Sequence, residues 1–235
     1  MSPREFMRHL LPLCAGLMLM ALWLPQARAN ASPEVLLEQV SQQMITSLQQ
    51  QREAIKARPA RLFELVDQVL SPHVDFPRMS RWVLGKYWRR ADAEQRERFI
   101  HAFRDLLVRF YTGALLDDPS HVETLLDNTD GLIQFLPGHR DADAMDTTVR
   151  CEVHLPGIKP VPVSFAVHRH DGDWKVYDVN VEGISLVTNY RSSFGQQIRR
   201  DGLESLITRL EKRNEALLQE ASRGAVTNAA ARSTR

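Results

Sequence analysis

The sequence has two cysteines, almost no net charge and none of the short motifs that mark the common enzyme classes. Thirty basic residues stand against 29 acidic ones, so the formal net charge is +1. This balance argues against a polyanion as ligand, and we expect no nucleic-acid partner. No P-loop, G-x-G-x-x-G, H-E-x-x-H, C-x-x-C or G-x-S-x-G sequence is present, so the sequence nominates no catalytic residue.

One long uncharged run lies near the N-terminus, at residues 10–24. Its length is that of a signal-peptide core (~7–15 residues) and falls short of the ~20 residues that span a bilayer. Arg4 and Arg8 precede it, and Ala27 and Ala29 form an A-x-A site after it. We therefore predict that residues 1–29 are a signal peptide removed after Ala29, with cleavage after Ala31 as the alternative.

Removal of the signal peptide leaves Cys151 as the single cysteine, which excludes an intramolecular disulfide. Cys151 alternates with Val149 and Val153, as in a strand with one apolar face. We interpret it as a small buried hydrophobic residue. A catalytic thiol is the alternative, although no partner for it is visible in the sequence.

The rest of the chain predicts helices, then strands, then a closing helix. Apolar residues recur at helical spacing after Ser32, at 62–70, at 79–85 and from Asp92 to about 116. Period-2 patterns predict strands at 132–136, 147–153, 161–167 and 174–181. A helix from Ile184 to about 218, interrupted near Gly202, follows. We predict one α+β domain at residues 30–212, with a curved antiparallel sheet of about four strands packed against several helices. Residues 213–235 are predicted to be a helix end and a mobile tail.

A histidine pair, His168 and His170, lies near the end of the third strand. Alternate strand residues share a face, so both imidazoles could reach one metal ion, with Asp173 as a third ligand. The alternative is a solvated strand end beside a hairpin turn, and two neighbouring histidines without a distant third ligand are a weak indication of a metal site. We favour that interpretation and assign no metal.

Apolar side chains are abundant at residues 174–194, which combine a strand, a Glu182–Gly183 break and a helical pattern. A large apolar surface must cover this segment. Periodicity alone leaves open whether that surface is the protein's own core or a bound apolar ligand.

Two stretches resemble the MlaC family of periplasmic lipid-binding proteins, also called toluene-tolerance proteins. They are VLGKYW at 83–88, with the helix from Glu94 to Phe99 after it, and YDVNVEGIS at 177–185. The resemblance covers about residues 32–212. It implies a soluble periplasmic carrier with a sheet of NTF2-like shape. Phospholipid is its cargo, and neither a cofactor nor catalytic residues are implied. The partners implied are an outer-membrane lipoprotein complex and an inner-membrane ABC transporter with an MCE-domain protein.

Pattern and resemblance together predict which side chains line the lipid slot. From the helices they are Phe76, Met79, Trp82, Val83, Phe103, Leu107, Phe110 and Tyr111; from the sheet, Val149, Cys151, Val153, Val163, Phe165, Val167, Trp174 and Val176; and from the closing segment, Val179, Val181, Ile184, Val187 and Tyr190. Two alternatives stay open: a small periplasmic enzyme on an NTF2-like fold, and an envelope adaptor that binds no lipid.

Overall fold

The computed structural model describes residues 32–58, 60–116, 131–138, 144–154, 157 and 159–233. These residues form seven helices and one five-stranded sheet within a single compact unit. The helices are α1 (Pro33–Gln50), α2 (Arg52–Ala57), α3 (Arg61–Leu70), α4 (Phe76–Leu84), α5 (Ala93–Leu116), α6 (Leu186–Asp201) and α7 (Leu203–Ser233). None of these helices is long and apolar enough to cross a bilayer. The predicted signal peptide lies outside the described residues.

The helices begin where short polar side chains cap them. Ser32 accepts a hydrogen bond from the backbone N–H of Val35 at 3.3 Å, and Asp92 accepts one from that of Gln95 at 2.8 Å. Both starts were expected from the sequence. The third predicted helix begins earlier than expected, at Phe76 rather than Met79, because Asp75 caps it through the N–H of Arg78 at 2.8 Å. A proline in the first turn is compatible with this start.

The sheet is antiparallel, and its strands lie in chain order. They are β1 (Ile133–Phe135), β2 (Asp146–Val153), β3 (Val161–His170), β4 (Asp173–Val181) and β5 (Ile184–Ser185). Four of them match the four strands predicted from the sequence, and the two-residue β5 is additional.

The prediction that a helix begins at Ile184 is wrong. Glu182 and Gly183 both have positive φ angles, 51° and 85°, and form a tight turn that pairs Ile184 with Val181. Ser185 then caps α6 by accepting a hydrogen bond from the N–H of Thr188 at 3.0 Å. The helix therefore begins at Leu186, and Ile184 stays 65% exposed.

The strand register places the apolar residues of all the long strands on one face. Val149 pairs with Phe165, Phe165 with Val179, and Val167 with Val176, and directly paired residues point to the same side. The spacing from Val176 to Val179 is three residues, and a β-bulge opposite Ala166 and Val167 accommodates it. Tyr177 is the residue without a partner there. A bulge of this kind also bends the strand.

Among the described residues, the largest cluster of buried apolar side chains lies between α4, α5, α6 and α7, in a region that we call the helical core. Phe99 and Phe103 are 0% exposed, and their rings stack with a centroid separation of 5.6 Å. Phe194 of α6 meets both rings edge-on, at 6.1 and 5.9 Å. Asp178 ties α6 to β4, because its Oδ1 accepts from the N–H of Val187 at 3.0 Å.

The closing helix is interrupted at Gly202, whose φ of 85° separates α6 from α7. This interruption was expected from the sequence. The backbone of α7 is helical to Ser233, which includes part of the predicted tail. The domain boundaries and the mobility of that tail stay predictions.

Candidate functional site

An apolar pocket of about 360 Å³ lies between α1 and the apolar face of the sheet. Helix α1 contributes Leu37, Val40, Ser41, Met44, Ile45 and Leu48. The other lining residues are Leu70, His73 and Val74, then Leu132 and Ile133, and finally Phe165, Val176 and Val179 of the sheet. The volume falls within the ~300–1,000 Å³ typical of ligand sites.

One apolar stripe of α1 forms both a packing contact and the pocket wall. Leu37, near the start of the helix, is 7% exposed and packs with Val149 and Val176 of the sheet. Further along the same stripe, Met44 and Ile45 are only partly buried. The start of α1 is therefore anchored on the sheet, while its second half borders the open volume of the pocket.

Ser41 and His73 are the only polar side chains among the described residues that line this pocket. Burial lowers the pKa of His73 below its usual 6.5, the nearby Lys175 lowers it further, and Asp173 opposes the shift. His73 is therefore a neutral imidazole at neutral pH. No carboxylate stands beside it in the described lining, so acid–base chemistry lacks a second group there.

An alkyl chain suits this lining. Each methylene group transferred from water to an apolar site contributes about 0.8 kcal/mol, without any directional contact. A chain with about ten buried methylene groups would therefore gain roughly 8 kcal/mol before ordering costs.

The sheet residues that the sequence predicts as lining share the pocket's face, but only three border the pocket. Phe165, Val176 and Val179 line it. Val149, Cys151, Val167 and Trp174 are buried, Val153 and Val163 are partly buried, and Val181 is 41% exposed at the strand end. Contact between lipid and any of these residues stays a prediction.

The predicted helical lining residues lie elsewhere. Met79, Val83, Phe103 and Val187 are buried in the helical core, with Leu107 and Tyr190 packed against it. Phe76 is buried beneath the guanidinium of Arg104. Trp82, Phe110 and Tyr111 are 40–48% exposed, and Ile184 is exposed at the β4–β5 turn. None of these residues borders the pocket described above.

Sequence reasoning missed the contribution of α1. The stripe Val40, Met44, Ile45, Leu48 was recognised as helical, but nothing distinguished it from an ordinary core stripe. The sequence shows that these side chains are apolar. It does not show how deeply they are buried, because that depends on how α1 lies on the sheet.

Cys151 and His168, both considered as candidate functional residues in the sequence analysis, are buried. Cys151 is 2% exposed, which confirms it as a small buried residue. Burial raises the pKa of its thiol to about 11, so the reactive thiolate is scarce at neutral pH. The rings of His168 and His170 lie 5.8 Å apart, but Nε2 of His168 is 2.8 Å from Oδ2 of Asp75. In the described part of the chain, no three potential ligands are grouped to hold a metal.

A helix lying across an antiparallel sheet, with an apolar pocket between them, defines an α+β protein built to hold an apolar ligand. A family model described as "MlaC protein" matches residues 38–212, and the chain belongs to the MlaC family. This confirms the family that the sequence motifs indicated.

Relatives of known name support the same assignment. The chain is 27% identical over 189 residues to the "Intermembrane phospholipid transport system binding protein MlaC" of Haemophilus influenzae, covering 79% of this chain and 84% of that protein. It is 28% identical over 175 residues to the "Toluene tolerance protein ttg2D" of Pseudomonas putida, covering 74% and 76%. A phospholipid-binding protein from Ralstonia solanacearum, solved with a phospholipid, has a TM-score of 0.67 and 28% identity, covering 80% of this chain and 99% of that one.

Proposed function

We propose that this protein is a phospholipid carrier of the periplasm, the soluble component of an ABC-type system that moves lipid between the outer and inner membranes. Such a system maintains the lipid asymmetry of the outer membrane. The single observation that carries the proposal is the apolar pocket between α1 and the sheet. The Ralstonia protein of similar fold, solved with a phospholipid, supports phospholipid as the cargo.

In this proposal the acyl part of the lipid occupies the pocket and the headgroup remains outside. The described lining contains no lysine or arginine, so it offers a phosphate no cation to pair with, and Ser41 and His73 are its only polar side chains. Affinity then comes from burial of the alkyl chain, and the protein acts by binding rather than by catalysis.

The cellular setting belongs to the same proposal. The signal peptide at residues 1–29 directs export, and cleavage after Ala29 releases the carrier with residues 30–212 as its lipid-binding domain. Its partners are an outer-membrane lipoprotein complex and an inner-membrane ABC transporter with an MCE-domain protein. The name of the Haemophilus influenzae relative, which refers to intermembrane phospholipid transport, supports this setting.

Native mass spectrometry of the gently purified protein tests the proposal with two variants of one helix. Ile45→Glu places a carboxylate in the pocket wall, whereas Val35→Glu places one on a side chain of α1 that is 42% exposed and outside the lining. Placing an alkyl chain against an unpaired buried charge costs several kcal/mol, and each 1.4 kcal/mol is a tenfold change in affinity.

We expect the unmodified protein and Val35→Glu to carry co-purified phospholipid. We expect Ile45→Glu to retain less than about a tenth of it. Circular dichroism confirms that each variant is folded. Absence of phospholipid from the unmodified protein contradicts the proposal, and full retention by folded Ile45→Glu contradicts the pocket assigned here.

A further inference from the structure

A second concavity, of about 1030 Å³, lies on the opposite side of the sheet. We call it the arginine groove, because Arg78, Arg81, Arg89, Arg96 and Arg191 line it together with Trp82. His168 of β3 also borders the groove. The residue before it, Val167, points to the pocket side of the sheet. Successive strand residues face opposite ways, so the groove and the pocket use different faces of the sheet.

The groove concentrates positive charge in a chain that is nearly neutral overall. Five arginines line it, and Asp75 is the only carboxylate among the described lining residues. Asp75 is already engaged, since it caps α4 and lies 2.8 Å from Nε2 of His168. The net charge of the whole chain is only +1, so this local excess is not a general property of the surface.

Two of the arginines are fixed and form the frame of the groove. The guanidinium of Arg78 lies 4.3 Å from the ring centre of Tyr177 and donates to Oδ1 of Asp146 at 2.6 Å. Arg96 donates through Nε to the carbonyl of Trp88 at 3.0 Å. Stacking and hydrogen bonds of this kind hold a guanidinium in one orientation.

The other three guanidinium groups have no acceptor on the protein within the described residues: Arg81, Arg89 and Arg191. The side chain of Arg191 nevertheless lies directly against Gly85. A Cβ atom added to that glycine would be only 3.1 Å from Nε of Arg191. Gly85 also has a φ of +55°, which a side chain would disfavour. A planar guanidinium that is positioned but unpaired suits a phosphate or a carboxylate, which it can bind through two hydrogen bonds.

Trp82 is the feature of the groove that favours a phosphate over a carboxylate as its ligand. Its side chain is 48% exposed beside the arginines, with its ring 5.9 Å from that of Tyr177. Exposed tryptophan is favoured where an apolar region meets a polar one, as at the headgroup level of a bilayer. Tryptophan is enriched at protein interfaces too, but the phospholipid that this protein is proposed to carry presents both a phosphate for the arginines and an apolar–polar boundary for this ring.

We propose that the arginine groove binds the phosphate of anionic phospholipid at a membrane surface, so that the protein contacts a bilayer through the face opposite its apolar pocket. The choice of a lipid surface rests on the proposed function. The groove itself is independent of the pocket, so the two can be tested separately.

Co-sedimentation of the mature chain, without residues 1–29, with vesicles tests this inference. The probes are phosphatidylglycerol–phosphatidylcholine vesicles, pure phosphatidylcholine vesicles, inorganic phosphate and polyglutamate. The groove variant is Arg81→Gln/Arg191→Gln. The matched control is Arg199→Gln/Lys212→Gln, which removes the same charge from exposed residues outside the groove.

We expect the unmodified protein and the control to bind the anionic vesicles similarly and pure phosphatidylcholine poorly. Each basic residue at such a surface contributes about fivefold in binding, so the groove variant, which lacks two of them, should bind about 25-fold more weakly. Trp82→Ala should also weaken vesicle binding without changing any binding of polyglutamate. Raising the salt concentration should weaken binding of all forms.

Equal losses in the groove and control variants would overturn the inference, because net charge alone would then explain binding. Displacement of the vesicles by millimolar inorganic phosphate would point to a free-phosphate site instead. Binding of polyglutamate in preference to vesicles would point to an acidic protein partner. Mass spectrometry of the unmodified protein separates the two proposals. Co-purified phospholipid without vesicle binding overturns the groove alone, and vesicle binding without co-purified phospholipid overturns the carrier alone.

Discussion

Two apolar helical stripes in this molecule differ in how completely other parts of the protein bury them. In the helical core, Phe99 and Phe103 of α5 are completely buried. In the pocket wall, Met44, Ile45 and Leu48 of α1 are only partly buried. Helix α5 is enclosed by α4, α6 and α7, whereas the second half of α1 borders a cavity. An apolar stripe therefore predicts that something covers it, but the packing of neighbouring elements determines whether that cover is protein or ligand.

The largest expected effect is the loss of a ring from the helical core. Phe103→Ala should lower the free energy of unfolding by about 3–5 kcal/mol, because it leaves a cavity among rings that pack on all sides. Leu48→Ala, at the pocket wall, should cost less, roughly 1–2 kcal/mol in lipid-free protein, because its side chain borders open volume on one side and packs against the buried cluster of Leu62 and Leu65 on the other. Urea denaturation measures both. Similar losses at the two positions would remove the distinction between a filled core and an open wall.

An intermediate effect is expected from the removal of lipid. A ligand that binds only the folded state adds about 2.7 kcal/mol of stability when its free concentration is 100 times Kd. Delipidated protein should therefore have a lower Tm than protein purified with its lipid. Ile45→Glu is the control, because it should have nearly the same Tm before and after delipidation. A large decrease in that variant would show that the lipid binds outside the pocket.

The smallest effect concerns pH. His73 borders the pocket, and burial lowers its pKa in the folded protein below the unfolded value of 6.5. Between these two values the unfolded chain binds more protons, so the contribution of His73 to stability is present above pH 6.5 and is lost as the pH falls below it. His73→Gln should flatten this part of the stability profile. His101→Gln, at an exposed histidine of α5, should leave it unchanged. If the stability of the two variants had the same dependence on pH, the contribution assigned to His73 would be contradicted.

Features set by local chemistry were predictable from the sequence. The Asp92 cap and the interruption at Gly202 each depend on a few neighbouring residues. The shared face of Val149, Val163 and the other apolar residues of β2 and β3 followed from period-2 alternation, whereas the position of Val179 and Val181 on that face depends on the β-bulge. The family followed from two sequence motifs, VLGKYW at 83–88 and YDVNVEGIS at 177–185.

Features set by packing between distant elements were not predictable. Phe103 and Phe110 belong to the same helical stripe, yet one is buried in the core and the other is 40% exposed. Nothing in the local sequence of α1 showed that its second half borders a cavity. The arginines of the groove are scattered from Arg78 to Arg191 and are brought together only by the fold.

The unpaired residue of β4 has a consequence for how this strand can vary in length. Without Tyr177, strict alternation would still direct Trp174, Val176, Val179 and Val181 to the pocket side, so the pocket does not need the extra residue. Tyr177 instead lies beneath Arg78 and contacts Trp82 and His168, all of which border the groove. A one-residue deletion at this position would therefore shorten the strand at the expense of the groove alone. One residue, Tyr177, is thus required by the groove face of the sheet and not by the pocket face.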